Sequence, residues 1–338
     1  MTTENTKPLL VAIDDGYAQT KVYGERPDGT IGKYHMRSSV RPGRYGVGSI
    51  SGDGFMGLYD TEEGPFTAPE DVEAESTQFD NFHTSTMNRV LVNHGLVGAG
   101  YGGLEVDIIT GLPVADFFGS DGLKDEAKIA LKKANLQKPV QLVSGSSKVA
   151  LLKNITVGCQ AVAAYIDYAL DDDLNEIEDV DGAVAIVDIG GRTTDIATVI
   201  GGSRIDHARS GTANIGVLDV YKAVKQGIWT QEKIRDDFPI NVIDKAVREG
   251  FIKLYGQKQD VTEIVANVVA EYQAKLAREI ERRISTGAAM NAVVFVGGGS
   301  ALFKDIAKTF RNGRMADDPE FANARGLYKY VRYQNLGA

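Results

Sequence analysis

One pattern occurs twice in this chain and limits its fold more than any other: an apolar run that ends on aspartate, a glycine turn, a threonine, and an apolar return. The second copy is the fuller. Ala183-Val184-Ala185-Ile186-Val187 runs into Asp188-Ile189-Gly190-Gly191-Arg192-Thr193-Thr194-Asp195, and Ile196 to Ile200 leads away. In the first, Leu9 to Ile13 enters Asp14-Asp15-Gly16-Tyr17-Ala18-Gln19-Thr20-Lys21, and the return runs from Thr20 to Tyr23. Each reads as strand, tight turn, strand. Asp14 matches Asp188, Gly16 matches Gly190, and Thr20 matches Thr194. A third strand follows in both, Ile31 to Met36 after the Pro27-Asp28-Gly29 turn and Ser203 to Arg209 in the second copy. One such turn alone is what ordinary hairpins contain. Two in the same register, far apart in the chain, point to a duplicated unit.

A chain of 338 residues that is 43% hydrophobic is long enough for two domains with sizeable cores. Its formal net charge of −9 argues against direct nucleic-acid binding, which needs clustered Lys and Arg on the phosphate backbone. The single cysteine, Cys159, excludes an internal disulfide framework, and the four histidines show no metal-ligand spacing. A reducing cytoplasm fits. Met1 to Pro8 is polar, unlike a secretory signal or membrane anchor, and no apolar run approaches the ~18 residues of a membrane span.

Between the two copies, Arg37 to Phe82 is rich in Gly, Asp, Glu and Ser and reads as an irregular insertion. Its Gly52-Asp53-Gly54-Phe55-Met56-Gly57 has the spacing of a dinucleotide fingerprint but neither the preceding strand nor the following helix. A helix over His83 to His94, a strand from Leu104 to Thr110 closed by Gly111-Leu112-Pro113, and a helix over Asp121 to Leu136 come next. Pro139 to Val143 and Lys148 to Val157 read as strands, with Ser144 to Lys148 as a hairpin turn between them. Cys159 to Leu170 is a helix of small residues, and the acidic Asp171 to Asp181 is a connector between domains.

After the second copy, Ser210-Gly211-Thr212-Ala213-Asn214-Ile215-Gly216 is a glycine-spaced loop entering a helix over Val217 to Lys225. Helices over Asn241 to Gly250 and Val261 to Ile284 follow. Ala292 to Val296 is a buried strand running into Gly297-Gly298-Gly299-Ser300, with a helix expected from Ser300 or Ala301. Free amides at such a junction hold anions or a nucleotide. A helical stretch, Pro319 to Tyr330, closes the chain.

Strand–turn–strand units followed by helix–strand alternation in each half argue for two α/β domains of mixed sheet facing each other across a cleft. Two glycine hairpins on opposing domains can clamp a triphosphate with amides and hydroxyls, their carboxylates reaching a hydrated metal. Magnesium keeps its waters and suits so few protein ligands. Lys21 is placed to direct its ammonium at the phosphates.

The two hairpins, the helix opening at Gln160-Ala161-Val162 and the Val296-Gly297-Gly298-Gly299 turn, in this order, resemble the motif set of the actin, sugar kinase and heat-shock chaperone superfamily. Within it the chain is most similar to the bacterial actin-like plasmid-segregation ATPases of the ParM or StbA type. Ile13-Asp14-Asp15-Gly16, the Asp107-to-Pro113 strand and the Asp-x-Gly-Gly-x-Thr-Thr-Asp pattern carry that likeness. The resemblance implies an actin-like, ribonuclease H-like fold of duplicated domains with a nucleotide cleft between them. Domain I would span 9–170, with the 37–82 insertion and a C-terminal helix about 311–335 packed back on it. Domain II would span 182–310, with a helical subdomain about 210–275.

The resemblance further implies ATP-driven filament assembly, and plasmid segregation through a DNA-bound adaptor of the ParR type, without direct DNA or membrane contact. Asp14 and Asp188 would organise magnesium through its waters. Asp15, Gly16, Tyr17, Ala18, Gln19, Lys21, Gly190, Gly191, Arg192, Thr193, Thr194, Gly211, Gly297, Gly298, Gly299 and Ser300 would surround ATP or ADP. Gln160 stands where actins place the glutamine that orients the attacking water and where ParM-like relatives often carry glutamate. Tyr17 replaces a small hydroxyl residue, which leaves only its amide for phosphate. A small-molecule kinase would need a substrate base that is not evident, and a chaperone would need a further domain. A cell-shape or structural filament stays open as an alternative.

Overall fold

The computed structural model describes residues 7–45, 57–68, 75–143, 147–176 and 182–336. The first lobe is built on β1 (Leu9–Asp15), β2 (Gln19–Glu25) and β3 (Ile31–Arg37), an antiparallel meander. β4 (Arg41–Pro42), β5 (Leu58–Thr61) and β6 (Gly64–Thr67) follow. Then come α1 (Thr86–Gly98), β7 (Glu105–Leu112), α2 (Val114–Phe117), α3 (Glu126–Gln137), β8 (Gln141–Leu142), β9 (Leu151–Cys159) and α4 (Gln160–Ala169). The main sheet has the order β3-β2-β1-β7-β9, with β1, β7 and β9 parallel. β1 reads as an unbroken apolar run because a central strand covered on both faces has no solvent side to carry polar residues.

The second lobe repeats this plan. It contains β10 (Ala183–Ile189), β11 (Thr194–Ile200), β12 (Arg204–Ile205), β13 (Gly211–Ala213), α5 (Val217–Glu232) and α6 (Ile240–Glu249). β14 (Phe251–Leu254), β15 (Gln257–Asp260), α7 (Thr262–Ile284), β16 (Ala292–Val296), α8 (Lys304–Ala307), β17 (Gly313–Met315) and α9 (Ala322–Leu336) complete the chain. Its sheet has the order β12-β11-β10-β16-β17, the same succession of antiparallel and parallel neighbours as in the first. The hairpins even close on equivalent pairs, Asp15 with Thr20 and Ile189 with Thr194. The repeat seen in sequence is therefore a repeat of backbone register.

Some expectations need correction. The 37–82 stretch is not wholly irregular, because β4, β5 and β6 form a small sheet with β8, in the order β4-β6-β5-β8. Its glycine fingerprint falls, except for Gly57, outside the described residues. β8 pairs with β5 and β9 with β7, so the strands on either side of the expected turn are not hairpin partners; Ser144 to Ser146 lie outside the described residues. In the second lobe the third strand shrinks to Arg204–Ile205, followed by a single 3-10 turn, His207–Arg209. No helix starts at Ser300: the chain turns until Lys304, where the four-residue α8 begins. Among the described residues no helix is long and apolar enough to cross a membrane.

α9 returns from the second lobe and packs on α4, β1 and β7 of the first. Asp167 of α4 receives two hydrogen bonds from Arg325, both 2.6 Å, and lies 3.0 Å from Lys329. All three side chains are largely buried. α4 itself starts where β9 ends, so the buried Cys159 directly precedes Gln160.

Candidate functional site

Both hairpins point into one cleft between the lobes. Asp14 and Asp188, near the ends of β1 and β10, are almost fully buried there. Lys21, the register partner of Asp14 on β2, donates to its Oδ2 at 3.1 Å. Gln160, opening α4, donates from Nε2 to Oδ1 at 3.1 Å. Asp188 accepts from Asn323 Nδ2 at 2.8 Å. Burial, and then the charge of Asp14, push the Asp188 carboxyl up to about 6, against the pull of Asn323 and Lys21. Burial opposes the charge on Lys21, but Asp14 outweighs it and the ammonium is held above its ordinary range.

The first hairpin is tethered by its carbonyls. Ser38 donates its hydroxyl to Gly16 O at 2.6 Å and its amide to Ala18 O at 2.9 Å, while Thr77 Oγ1 donates to Tyr17 O at 2.6 Å. In trans peptides the N–H lies opposite the C=O. The amides of Tyr17, Ala18 and Gln19 are therefore directed away from those anchors. The second hairpin is closed by Gly190 N–H to Thr193 O, and its Gly190 and Gly191 carbonyls accept the first amides of α5, from Val217 and Leu218. At Gly191 the two lobes almost touch: a Cβ there would stand 2.5 Å from Ala18 Cβ. Gly297 has φ 87°, and a Cβ on it would stand 2.3 Å from Asp188 Oδ1. Only glycine fits either place.

Asp14, Gly16, Tyr17, Ala18, Gln19, Lys21, Gln160, Asp188, Gly190, Gly191, Thr193 and the three glycines 297–299 all line the cleft. Five residues expected there do not. Asp15 turns into the first lobe, accepting from Thr110 Oγ1 at 2.5 Å, Asn88 Nδ2 at 2.7 Å and Lys132 Nζ at 2.7 Å. Although burial opposes its charge, the Lys132 ammonium and then His83 hold its carboxyl well below the usual carboxylate range. Thr194 donates its hydroxyl to Ile215 O at 2.8 Å, and Ser300 to Gly297 O at 2.7 Å. Gly211 lies in β13 against Arg283. Arg192 crosses between the lobes outside the cleft, donating to Asp80 at 2.8 Å with its guanidinium 5.4 Å from the Tyr17 ring centre. The triple glycine also offers fewer amides than its sequence suggests, since Gly297 donates to Pro319 O and Gly299 to Ile189 O.

Other lining residues are not evident from sequence. Asn323 arrives on α9, 135 positions from the carboxylate it holds. Asp195 faces Asp188 across the β10–β11 pair and accepts from Thr212 Oγ1. Burial pushes its carboxyl up to about 7, Thr212 opposing and Asp188 adding to the rise. At the outer edge, Asp244 of α6 pairs with Arg37 of the first lobe and accepts from Tyr221 and Arg248. Asp195 ends a pattern already suspected of binding phosphate. The others had no local signal.

Two family models match the chain: plasmid segregation protein ParM, N-terminal, over residues 9–169, and archaeal actin homologue MreB-like, C-terminal, over residues 186–309. A non-polymerisable quadruple mutant of pCBH ParM superposes with a TM-score of 0.74 at 19% identity, covering 97% of this chain and 100% of that one. A 15-stranded ParM filament from Clostridium botulinum gives 0.74 at 18%, with coverages of 97% and 100%. The archaeal actin homologue Ta0583 in complex with ADP gives 0.73 at 19%, with 96% and 99%. No curated protein sequence matches. The N-terminal part of the chain thus matches the ParM (StbA) model, the C-terminal part matches the archaeal MreB-like model, and the whole chain has the actin-like fold of these structures.

Proposed function

We propose that this chain is a cytoplasmic ATPase that assembles with ATP into dynamic filaments and segregates plasmid DNA through a DNA-bound adaptor of the ParR type. The observation that carries the reading is the convergence of Asp14 and Asp188, from equivalent positions of two lobes, with Lys21 and Gln160 in one cleft. Carboxylates close enough for one to raise the other's pKa are in electrostatic conflict, which a divalent cation relieves. Among the described residues no group of three or more His, Cys, Asp or Glu forms a ligand cage. Two carboxylates acting through water suit magnesium, which gives up its waters reluctantly. When bound, the ion neutralises charge on the phosphates.

The chain's own groups do the rest. Lys21 adds positive charge beside Asp14, and the amides of Tyr17, Ala18 and Gln19 supply donors to phosphate oxygens. Gln160 orients the water that attacks the terminal phosphorus, yielding ADP and inorganic phosphate. The names of the similar structures support nucleotide binding and polymerisation, since one holds ADP and another is a filament. The net charge of −9 supports contact with DNA through an adaptor.

Light scattering and phosphate release, followed together after Mg-ATP is added, test this. Polymer should appear first and phosphate after it. Bound ATP with no polymer over a wide concentration range would refute the reading. The MreB-like match favours a second reading, a cytoskeletal filament without DNA cargo. Unchanged plasmid loss after deletion of the gene would select it.

A further inference from the structure

Gln160 hangs between two supports. Its amide nitrogen donates to Asp14 Oδ1 at 3.1 Å, and its aliphatic stem lies flat on the backbone of Gly111 in β7. A Cβ on Gly111 would stand 2.5 Å from Gln160 Cγ, and the next nearest atoms, at 3.4 and 3.5 Å, also belong to Gln160. Gly111 is the register partner of Gly158, two positions before Gln160. It lies inside a strand, where the backbone itself does not require glycine. The absence of a side chain at 111 is therefore explained by one neighbour, the side chain of Gln160.

Both supports lead to one cation. Lys132 of α3 is fully buried. Its ammonium donates to Gly111 O at 2.6 Å and to Asp15 Oδ2 at 2.7 Å. Asp15 adjoins Asp14, which holds the head of Gln160, and is fixed from other sides by Asn88 and Thr110. One ammonium thus ties the floor under the stem of Gln160 to the strand end that holds its amide. A buried ion pair adds little net stability over apolar residues of the same volume, so stability alone does not explain a charge at this place. An apolar side chain would fill the space, but it would not hold a carbonyl of β7 and a carboxylate of β1 at a fixed separation.

We propose that Gly111 and Lys132 are positioning residues for Gln160: the bare backbone at 111 seats its stem, and the Lys132 ammonium fixes that seat relative to Asp14. Neither residue lines the cleft, so both act through Gln160. Misplacing an orienting group by about 1 Å costs up to about a hundredfold in rate. This inference rests on the hydrolysis reading above and extends it from the residue that meets the water to the residues that aim it.

Gly111→Ala is the decisive variant, because it adds one methyl group and changes no charge. With full-length protein and Mg-ATP, phosphate formation per polymerised subunit should slow on the order of tenfold while nucleotide affinity stays within about twofold. In a Gln160→Ala background, where the side chain that the methyl meets is gone, Gly111→Ala should slow hydrolysis no further. Lys132→Met alone leaves the Asp15 charge stranded in the core, so Lys132→Met is combined with Asp15→Asn. That pair should also slow hydrolysis at unchanged affinity, and again only when Gln160 is present. Wild-type hydrolysis by Gly111→Ala, or equal slowing in both backgrounds, would overturn the seat at 111. The same results for the paired variant would overturn the role of Lys132. A Gln160→Ala chain that hydrolyses at the wild-type rate would overturn the role of Gln160 and this inference with it. A wild-type chain that binds ATP and never hydrolyses it would overturn the proposed function itself.

Discussion

Asp188 and Asp195 are neighbours in the β10–β11 register, both buried and both pushed up in pKa, yet they serve different ends. Asp188 faces Asp14, and a bound cation turns its cost into affinity. Asp188→Ala should therefore abolish magnesium-dependent turnover. Gln160→Ala should slow hydrolysis on the order of a hundredfold and leave nucleotide affinity within a few-fold, since it removes a water-orienting group and no phosphate contact. Asp195 carries its cost in the free protein. A carboxyl raised from 3.8 to about 7 lends stability that is complete below pH 3.8 and is lost as pH rises through 7. Asp195→Asn should then stabilise the nucleotide-free protein by roughly 2–4 kcal/mol at pH 8 and by almost nothing near pH 4, read from melting curves. Asp188 is visible in sequence because the repeat matches it to Asp14, whereas the counterpart of Asp195 in the first copy is Lys21. Asp15 looked equally suited to the cleft until Lys132 and Thr110, from α3 and β7, drew it the other way. Which of two adjacent aspartates faces a ligand depends on residues a hundred positions away.

At the scale of elements, α9 holds the site together from outside it. Asn323 fixes Asp188, and on the same helix Arg325 and Lys329 share Asp167 of α4. Removing one member of a buried ion cluster leaves uncompensated charge and costs about 3–5 kcal/mol. Asp167→Ala should lower unfolding stability by that amount in urea titration and also weaken nucleotide binding, because α9 loosens with Asn323 on it. The sequence shows α9 only as a closing helix, and periodicity does not say what a helix packs on. Long periodic elements such as α7 were legible almost to the residue. Short ones were not. α8 and the strands β4, β5 and β6 are set by tertiary contacts of segments too brief to have a pattern, whereas β8 falls inside the strand expected over Pro139 to Val143.

At the scale of the whole molecule, the pairs Arg192–Asp80 and Arg37–Asp244 join the two lobes beside the contact of Ala18 with Gly191. The Asp80 side chain is 91% exposed, so its pair with Arg192 is worth little in water. Arg192→Ala should speed ADP release by less than about fivefold, and less still at high salt. The Arg37–Asp244 pair is mostly buried, and Asp244 is also held by Tyr221 and Arg248. Asp244→Asn should speed ADP release on the order of tenfold in stopped-flow chase experiments. The lone thiol, Cys159, provides a way to watch the lobes part. It lies at the β9–α4 junction among core residues of both lobes, and burial pushes it up to about 12. A thiol so buried and so weakly acidic is inert to alkylating reagents until the chain around it opens. Its labelling rate is thus an intrinsic clock for breathing at the joint, requiring no engineered probe and free of interference from any second cysteine.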